Sequence, residues 1–257
     1  MPDQSPPNIT PKTYTCYRAC GPIVVDGKLN DPSWIRAPRT DLFVDIEGDT
    51  KPLPFYHTKV KMLWDENYFY FGAYMEERHV WATLKDRDAV IFKDNDFEIF
   101  LDPDSDTHHY YELEVNALET EWDLLLLKPY RDQAKVAVDS WDIPGLITKV
   151  HVDGTINDPS DIDEGWSVEI AIPWKALEEC APNFYPLEGE QWKINFSRVH
   201  WDTKIENGQY IKIESPEYNW VWSPQGIIAM HYPEMWGLVQ FTDGIVGEKK
   251  IKYQPSA

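Results

Sequence analysis

"GWSVEIAIP", Gly165 to Pro173, carries the reading of the fold. Trp166, Val168, Ile170 and Ile172 alternate with Ser167, Glu169 and Ala171, so large apolar and small or polar side chains project to opposite faces with a period of two. A helix would repeat its apolar residues every three or four positions; this stretch spells a half-buried strand. Similar short runs recur along the chain: "KVKML" from Lys59, "YFYFGAYM" from Tyr68, "DFEIFLD" from Asp96, "YYELEVNA" from Tyr110, "WDLLLL" from Trp122, "ITKVHV" from Ile147, "QWKINFSRV" from Gln191 and "WGLVQF" from Trp236. Clusters of Asp, Asn, Gly and Pro break them, which is the spacing of a sandwich or barrel. The expected class is therefore all-β, an antiparallel β-sandwich of jelly-roll or immunoglobulin-like type with very little helix. The clearest helical turn starts at Pro173 in "PWKALEEC", where a proline at an early helical position loses no hydrogen bond. "VDGKLNDPSW", from Val25, reads as a strand, a turn on Asp26 and Gly27, and an Asp-Pro stop before Trp34 docks into the core.

A chain of 257 residues suits one large β domain. Residues 1–13 read as a disordered leader, because Pro2, Pro6, Pro7 and Pro11 fall in a stretch with almost no apolar content. Residues 14–257 read as a single domain without repeat or linker. Lys and Arg number 24 against 44 Asp and Glu, a formal charge of −20, and such a field repels nucleic-acid phosphates and anionic membrane surfaces while suiting neutral ligands and divalent cations. The opening "MPDQSPPNITPKTY" has neither a basic start nor an apolar run. A cytoplasmic location and an extracytoplasmic one after removal of a leader both stay open. Cys16, Cys20 and Cys180 match no zinc or redox spacing, and pairing of Cys16 with Cys20 is left open.

The chain has no GxSxG elbow, no phosphate-cradling GxxxxGK[ST], no HExxH and no GxGxxG. Glu98, Glu112 and Glu114 fall on adjacent strands and supply the paired carboxylates a glycosidase or lyase requires, which keeps an enzyme among the readings. "DPDSDTHHYY" places Asp102, Asp104 and Asp106 two apart in a turn between strands, a weak calcium candidate that lacks the central Gly and distal Glu of an EF-hand loop. His108 and His109 are adjacent, so on a strand they face opposite ways. Haem ligation by His231 and Met235, or by Met62 and Met75, competes with the commoner use of methionine in cores. Aromatic residues reach 14%, with 12 Trp, more flat rings than a core of this size needs. Sugars offer a C–H face for stacking and a rim of hydroxyls for planar amide and carboxylate groups, so these ingredients point to carbohydrate recognition.

"IVVDGKLNDPSW", "KVKMLWDENYFYFGAYMEE", "NDFEIFLD", "YYELEVNA", "GWSVEIAIPWKAL" and "NWVWSP … YPEMWGLVQF" occur in an order that resembles the family nine carbohydrate-binding modules and their family nine-like relatives, from about Tyr14 to Phe241. The resemblance implies a non-catalytic module holding a mono- or oligosaccharide between two aromatic rings. Position by position it implies Phe92 as one ring, Glu98 and Asn116 as polar contacts, Trp222 as the second ring and Asn219 as a further contact. Phe92 stands where typical members have Trp, and Glu114 where they have Arg, so the preferred sugar should differ or the site be lost. Trp122 and Arg131, in a segment unlike the compact modules, are expected to help rebuild the pocket. Arg198 is an added donor candidate, with a salt bridge as its equal alternative. The family also implies structural calcium. A purely structural module with a closed pocket is the third reading.

Overall fold

The computed structural model describes residues 9–132 and 136–248, and the expected leader lies mostly outside them. Its strands are β1 (Thr13–Arg18), β2 (Val44–Asp45), β3 (Thr58–Trp64), β4 (Tyr68–Glu76), β5 (Asp96–Asp102), β6 (Tyr110–Asn116), β7 (Glu121–Leu126), β8 (Ala137–Val138), β9 (Ile147–Asp153), β10 (Gly165–Pro173), β11 (Gln191–His200), β12 (Thr203–Glu206), β13 (Gln209–Lys212), β14 (Tyr218–Val221) and β15 (Gly237–Ile245). The runs read from alternation all appear. Among the described residues, helix is confined to α1 (Pro32–Arg36) and short 3-10 turns, one of which, Trp174–Leu177, occupies the expected position after Pro173.

One hydrogen-bonded path runs β8-β7-β6-β5-β11-β15-β1-β3-β4-β10-β9, with β14 beside β11 and β2 beside β14. The path folds into a sandwich. Its two halves bury one shared apolar cluster, in which Phe97, Ile99, Leu113 and Val115 from one layer meet Val60, Phe71, Val168 and Ile170 from the other. Phe71 on β4 meets Phe196 on β11 edge-on at 6.0 Å. The expected antiparallel pairing holds for every pair except those of β1, which runs parallel to both β15 and β3. β1 is thus the seam between the layers.

On β10 the second face is covered too, which half-burial did not anticipate. Residues 25–34 dock there: Glu169 Oε2 accepts from the Asp26 and Gly27 backbone N–H groups at 2.8 and 2.7 Å, and Trp34 Nε1 donates to Glu169 Oε1 at 2.5 Å. Gly27 has φ +85°, and a Cβ there would meet the His151 backbone nitrogen at 2.7 Å, so only glycine fits this turn. The expected strand before it is not formed. Cys16 and Cys20 are both unpaired, as is Cys180.

Two expected site residues belong to the core instead. Parity on β11 sends Arg198 inward with Phe196, where its guanidinium reaches Glu77 Oε2 at 3.1 Å, the Glu76 carbonyl at 2.9 Å and Thr58 Oγ1 at 3.2 Å. Of its two expected roles, Arg198 takes the salt bridge, buried rather than at the surface. Trp222 continues β14 with the parity of Trp220, is 1% exposed, and packs against Phe196 at 5.8 Å. Gly237 passes so close beneath its ring that any added side chain there would collide with it.

Candidate functional site

The face of β5, β6, β7, β11 and β14 turned away from the core carries a cleft of about 380 Å³. Register sets its floor. Trp122 on β7 pairs with Glu114 on β6, Glu114 with Glu98 on β5, and Glu98 with Ser197 on β11, a row of four side chains on one face. The neighbouring row is Leu124, Glu112, Phe100 and Asn195, and on the other side Asn116 pairs with Asp96. Alternation thus brings Asp96, Glu98, Glu112 and Glu114 together, all buried.

Phe92, on the 3-10 turn Ile91–Lys93 before β5, rises as one wall and is 39% exposed. Its ring lies 6.3 Å from that of Trp122 with 33° between the planes. The two form adjoining panels of one wall. His231 and Tyr130 form another side, their rings edge-on at 4.5 Å, with His231 Nδ1 in a 2.9 Å hydrogen bond with the Tyr110 hydroxyl. Asn219 on β14 and Glu217 just before it close the rim.

Burial dominates the electrostatics. It lifts Glu98 to about 7, against a hydrogen bond from Ser197 that favours the ionised form. Asp96, Glu112 and Glu114 are held well above the usual carboxylate range, by burial first and then by the charge of Glu98. Burial drops His231 to about 4, so its ring is neutral at pH 7. Asp96 Oδ1 accepts from Val199 N–H at 3.0 Å and Glu114 Oε2 from Phe92 N–H at 3.0 Å. Asp96 Oδ2 and Glu112 Oε2 have no hydrogen-bond partner among the described residues.

Of the expected residues the cleft gathers Phe92, Glu98, Asn219 and Trp122, with Glu114 among them. Asn116 sits beyond it with its amide fully engaged. Its nitrogen donates to the Leu84 carbonyl at 2.9 Å and to Asp94 Oδ2 at 3.1 Å, and its oxygen accepts from Leu118 and Thr120 N–H, fixing the β6–β7 turn. Trp222 and Arg198 face the core. Arg131 pairs with Glu234 and lies over the Tyr232 ring at 5.0 Å, in an adjacent cleft that shares Tyr130 and His231 with the first.

In the β5–β6 hairpin, Asp102, Asp104 and Asp106 each place one carboxylate oxygen within 4.8 Å of the others. Asp102 Oδ1 is buried without a partner, while Oδ2 accepts from Thr107 N–H at 3.0 Å. Three hard oxygen donors in a turn fit the chemistry of calcium.

A family model described as "Carbohydrate family 9 binding domain-like" matches residues 25–213. The chain belongs to this family. No curated protein matches it in sequence. Among solved structures, this family 9-like chain is similar to a family 9 module from Caldicellulosiruptor kristjanssonii in complex with cellotriose, at 15% identity, with 96% of this chain and 100% of that one covered and a TM-score of 0.57. The same organism's module in complex with glucose gives 16%, 92%, 99% and 0.56. A "putative carbohydrate-binding protein" from Bacteroides uniformis gives 16% identity, 90% and 100% coverage and a TM-score of 0.64. At these identities the likeness is one of fold.

Proposed function

We propose that this family 9-like domain binds neutral carbohydrate in the cleft over β5, β6 and β7 without turning it over. The observation that carries the reading is one cleft with an aromatic wall, Phe92 and Trp122, above a floor and rim of planar polar groups, Glu98, Glu114 and Asn219. A sugar ring lies with its C–H face against the wall, and its hydroxyls reach down to the carboxylates. Family membership and the sugars named in the two Caldicellulosiruptor structures support the same class of ligand. Trp122 takes the part that the family resemblance gives to Trp222. Because Phe92 and Trp122 are adjoining panels, the ligand is backed on one side only and remains open to extension. The reading includes a structural calcium ion on Asp102, Asp104 and Asp106.

Calorimetric titration with glucose and with cello- and xylo-oligosaccharides tests the reading. Saturable heat that disappears in Trp122→Ala, with the fold retained, is the expected result. Heat unchanged in that variant removes the cleft from consideration. Hydrolysis is the second reading, favoured by the closeness of Glu98 and Glu114. Glycosidases place their two carboxyls on opposite sides of the scissile bond, whereas Glu98 and Glu114 are register partners that approach a ligand from the same floor. Turnover of a reporter glycoside, lost in Glu98→Gln, would reverse that preference.

A further inference from the structure

The floor of the cleft gathers buried acids and, among the described residues, no counter-charge. One carboxylate oxygen each from Asp96, Glu98 and Glu114 lies within 4.8 Å of the others, and all three side chains are buried. Asp96 is 0% exposed, and its Oδ2 has no hydrogen-bond partner. Of the trio, Glu98 and Glu114 line the cavity while Asp96, fully buried, is not part of its lining; Glu112, outside the trio, lines it with its buried Oε2 equally unpartnered among the described residues. Among the described residues, no Lys or Arg lines the cavity. A further acidic group, Asp88, Asp123 and Asp142, shows what the floor lacks: Arg87 ion-pairs with each of its members.

We propose that Asp96, Glu98 and Glu114 bind a calcium ion at the floor of the cleft, with the ion's open coordination positions turned toward the ligand. Calcium takes six to eight oxygens at roughly 2.3–2.6 Å, so two ligands on opposite sides of it stand about 5 Å apart. Three oxygens within 4.8 Å of one another fit around one such ion. The donor set is all carboxylate, without the imidazole or thiolate that selects transition metals. Magnesium keeps several waters in a strict octahedron, which suits a buried trio poorly. Three carboxylates leave positions free, and two neighbouring hydroxyls of a sugar are suitable oxygen ligands for them. That last step rests on the carbohydrate reading, whereas the ion site stands without it.

The test starts from chelator-stripped protein carrying Asp104→Asn and Asp106→Asn, which removes the hairpin acids from the count. Titration with calcium chloride in the absence of sugar is expected to show one saturable site, weakened at least ten-fold in Asp96→Asn and in Glu114→Gln. Melting curves accompany each titration. Calcium raises the midpoint of the background protein and leaves the two folded variants unmoved. If either variant fails to fold, terbium luminescence in the background protein reads the same site, excited through Trp122, displaced by calcium and lost in Trp122→Phe. The proposal is overturned if the background protein binds no calcium, or if the folded variants bind it as tightly.

A second arm titrates soluble cello- and xylo-oligosaccharides with calcium and again with chelator. Sugar binding that needs calcium supports the bridging role. Equal binding in chelator overturns bridging and leaves the carbohydrate reading standing. Calcium binding with no sugar binding in either condition leaves the ion site standing and sinks the carbohydrate reading.

Discussion

Glu77 and Glu98 are both buried carboxyls beside β11, on opposite faces of the sheet, and they are treated in opposite ways. Glu77, in the core, is met by the Arg198 guanidinium at 3.1 Å, by Asn95 Nδ2 at 2.5 Å and by Trp166 Nε1 at 3.0 Å. Glu98, on the cleft floor, has three other acids around it and, among the described residues, no cation. Removing a charge from water is repaid only by a well-placed partner. A carboxyl supplied with its own guanidinium belongs to the architecture; one surrounded by its own kind is set up to receive something from outside.

The sharpest way to break this comparison is to delete the internal cation. Arg198→Met strands Glu77 and should cost about 3–5 kcal/mol in urea unfolding; a cost below about 1 kcal/mol would show that the pair is dispensable. Trp222→Ala, on the same core face, should cost a similar 3–5 kcal/mol as a large buried truncation, with melting temperature as the readout.

On the floor the sign should invert. Glu98 holds its proton up to about 7, above the ordinary carboxylate value of 4.5, so the folded state binds that proton more tightly than the unfolded chain. Its contribution is present below pH 4.5 and lost as pH rises through 7. In chelator, Glu98→Gln should therefore stabilise the protein by about 1–3 kcal/mol at pH 8 and by close to nothing at pH 4.5. Denaturant curves at the two pH values decide it, and destabilisation at pH 8 would refute the assignment.

Trp122→Ala sharpens the contrast between core and cleft tryptophans: it should cost about 1 kcal/mol or less in stability, yet at least roughly ten-fold in affinity for an oligosaccharide. Smallest of all, Asp106→Asn should change calcium-free stability by less than about 0.5 kcal/mol and remove part of the stabilisation that calcium gives. An unchanged calcium response would take the ion away from the hairpin.

The layers of the sandwich were legible because burial on one side writes itself into alternate residues, as in Gly165–Pro173. β2 and β8, two residues each, are too short to show a period. The parallel pairing of β1 left no trace, since its partners Leu238 to Phe241 lie at the far end of the chain and parallel and antiparallel neighbours ask for the same side chains. Parity also sorts the site. Asn219 and Trp222 are three apart and so face opposite ways, and Trp222 must follow Trp220 inward. The same rule applied to β5 and β6 yields Asp96 and Glu112 alongside Glu98 and Glu114. Tyr130, on a 3-10 turn, and His231, on a loop, are placed beside the strands by no local pattern.

The seam made by β1 bears on how the molecule is assembled. β1 pairs with β15 from Thr13↔Leu238 onward and with β3 at Tyr17↔Leu63 and Arg18↔Trp64, so the earliest-made strand waits in the middle of the sheet for the last. Until Ile245 has left the ribosome, β1 can be bonded on one edge only, and the half of the sandwich that bears the cleft is not yet joined through it to the other half. Contacts of such sequence separation form slowly. Folding on this topology is a late, collective event, and an unfinished nascent chain exposes an unpaired strand edge that chaperones would have to shield.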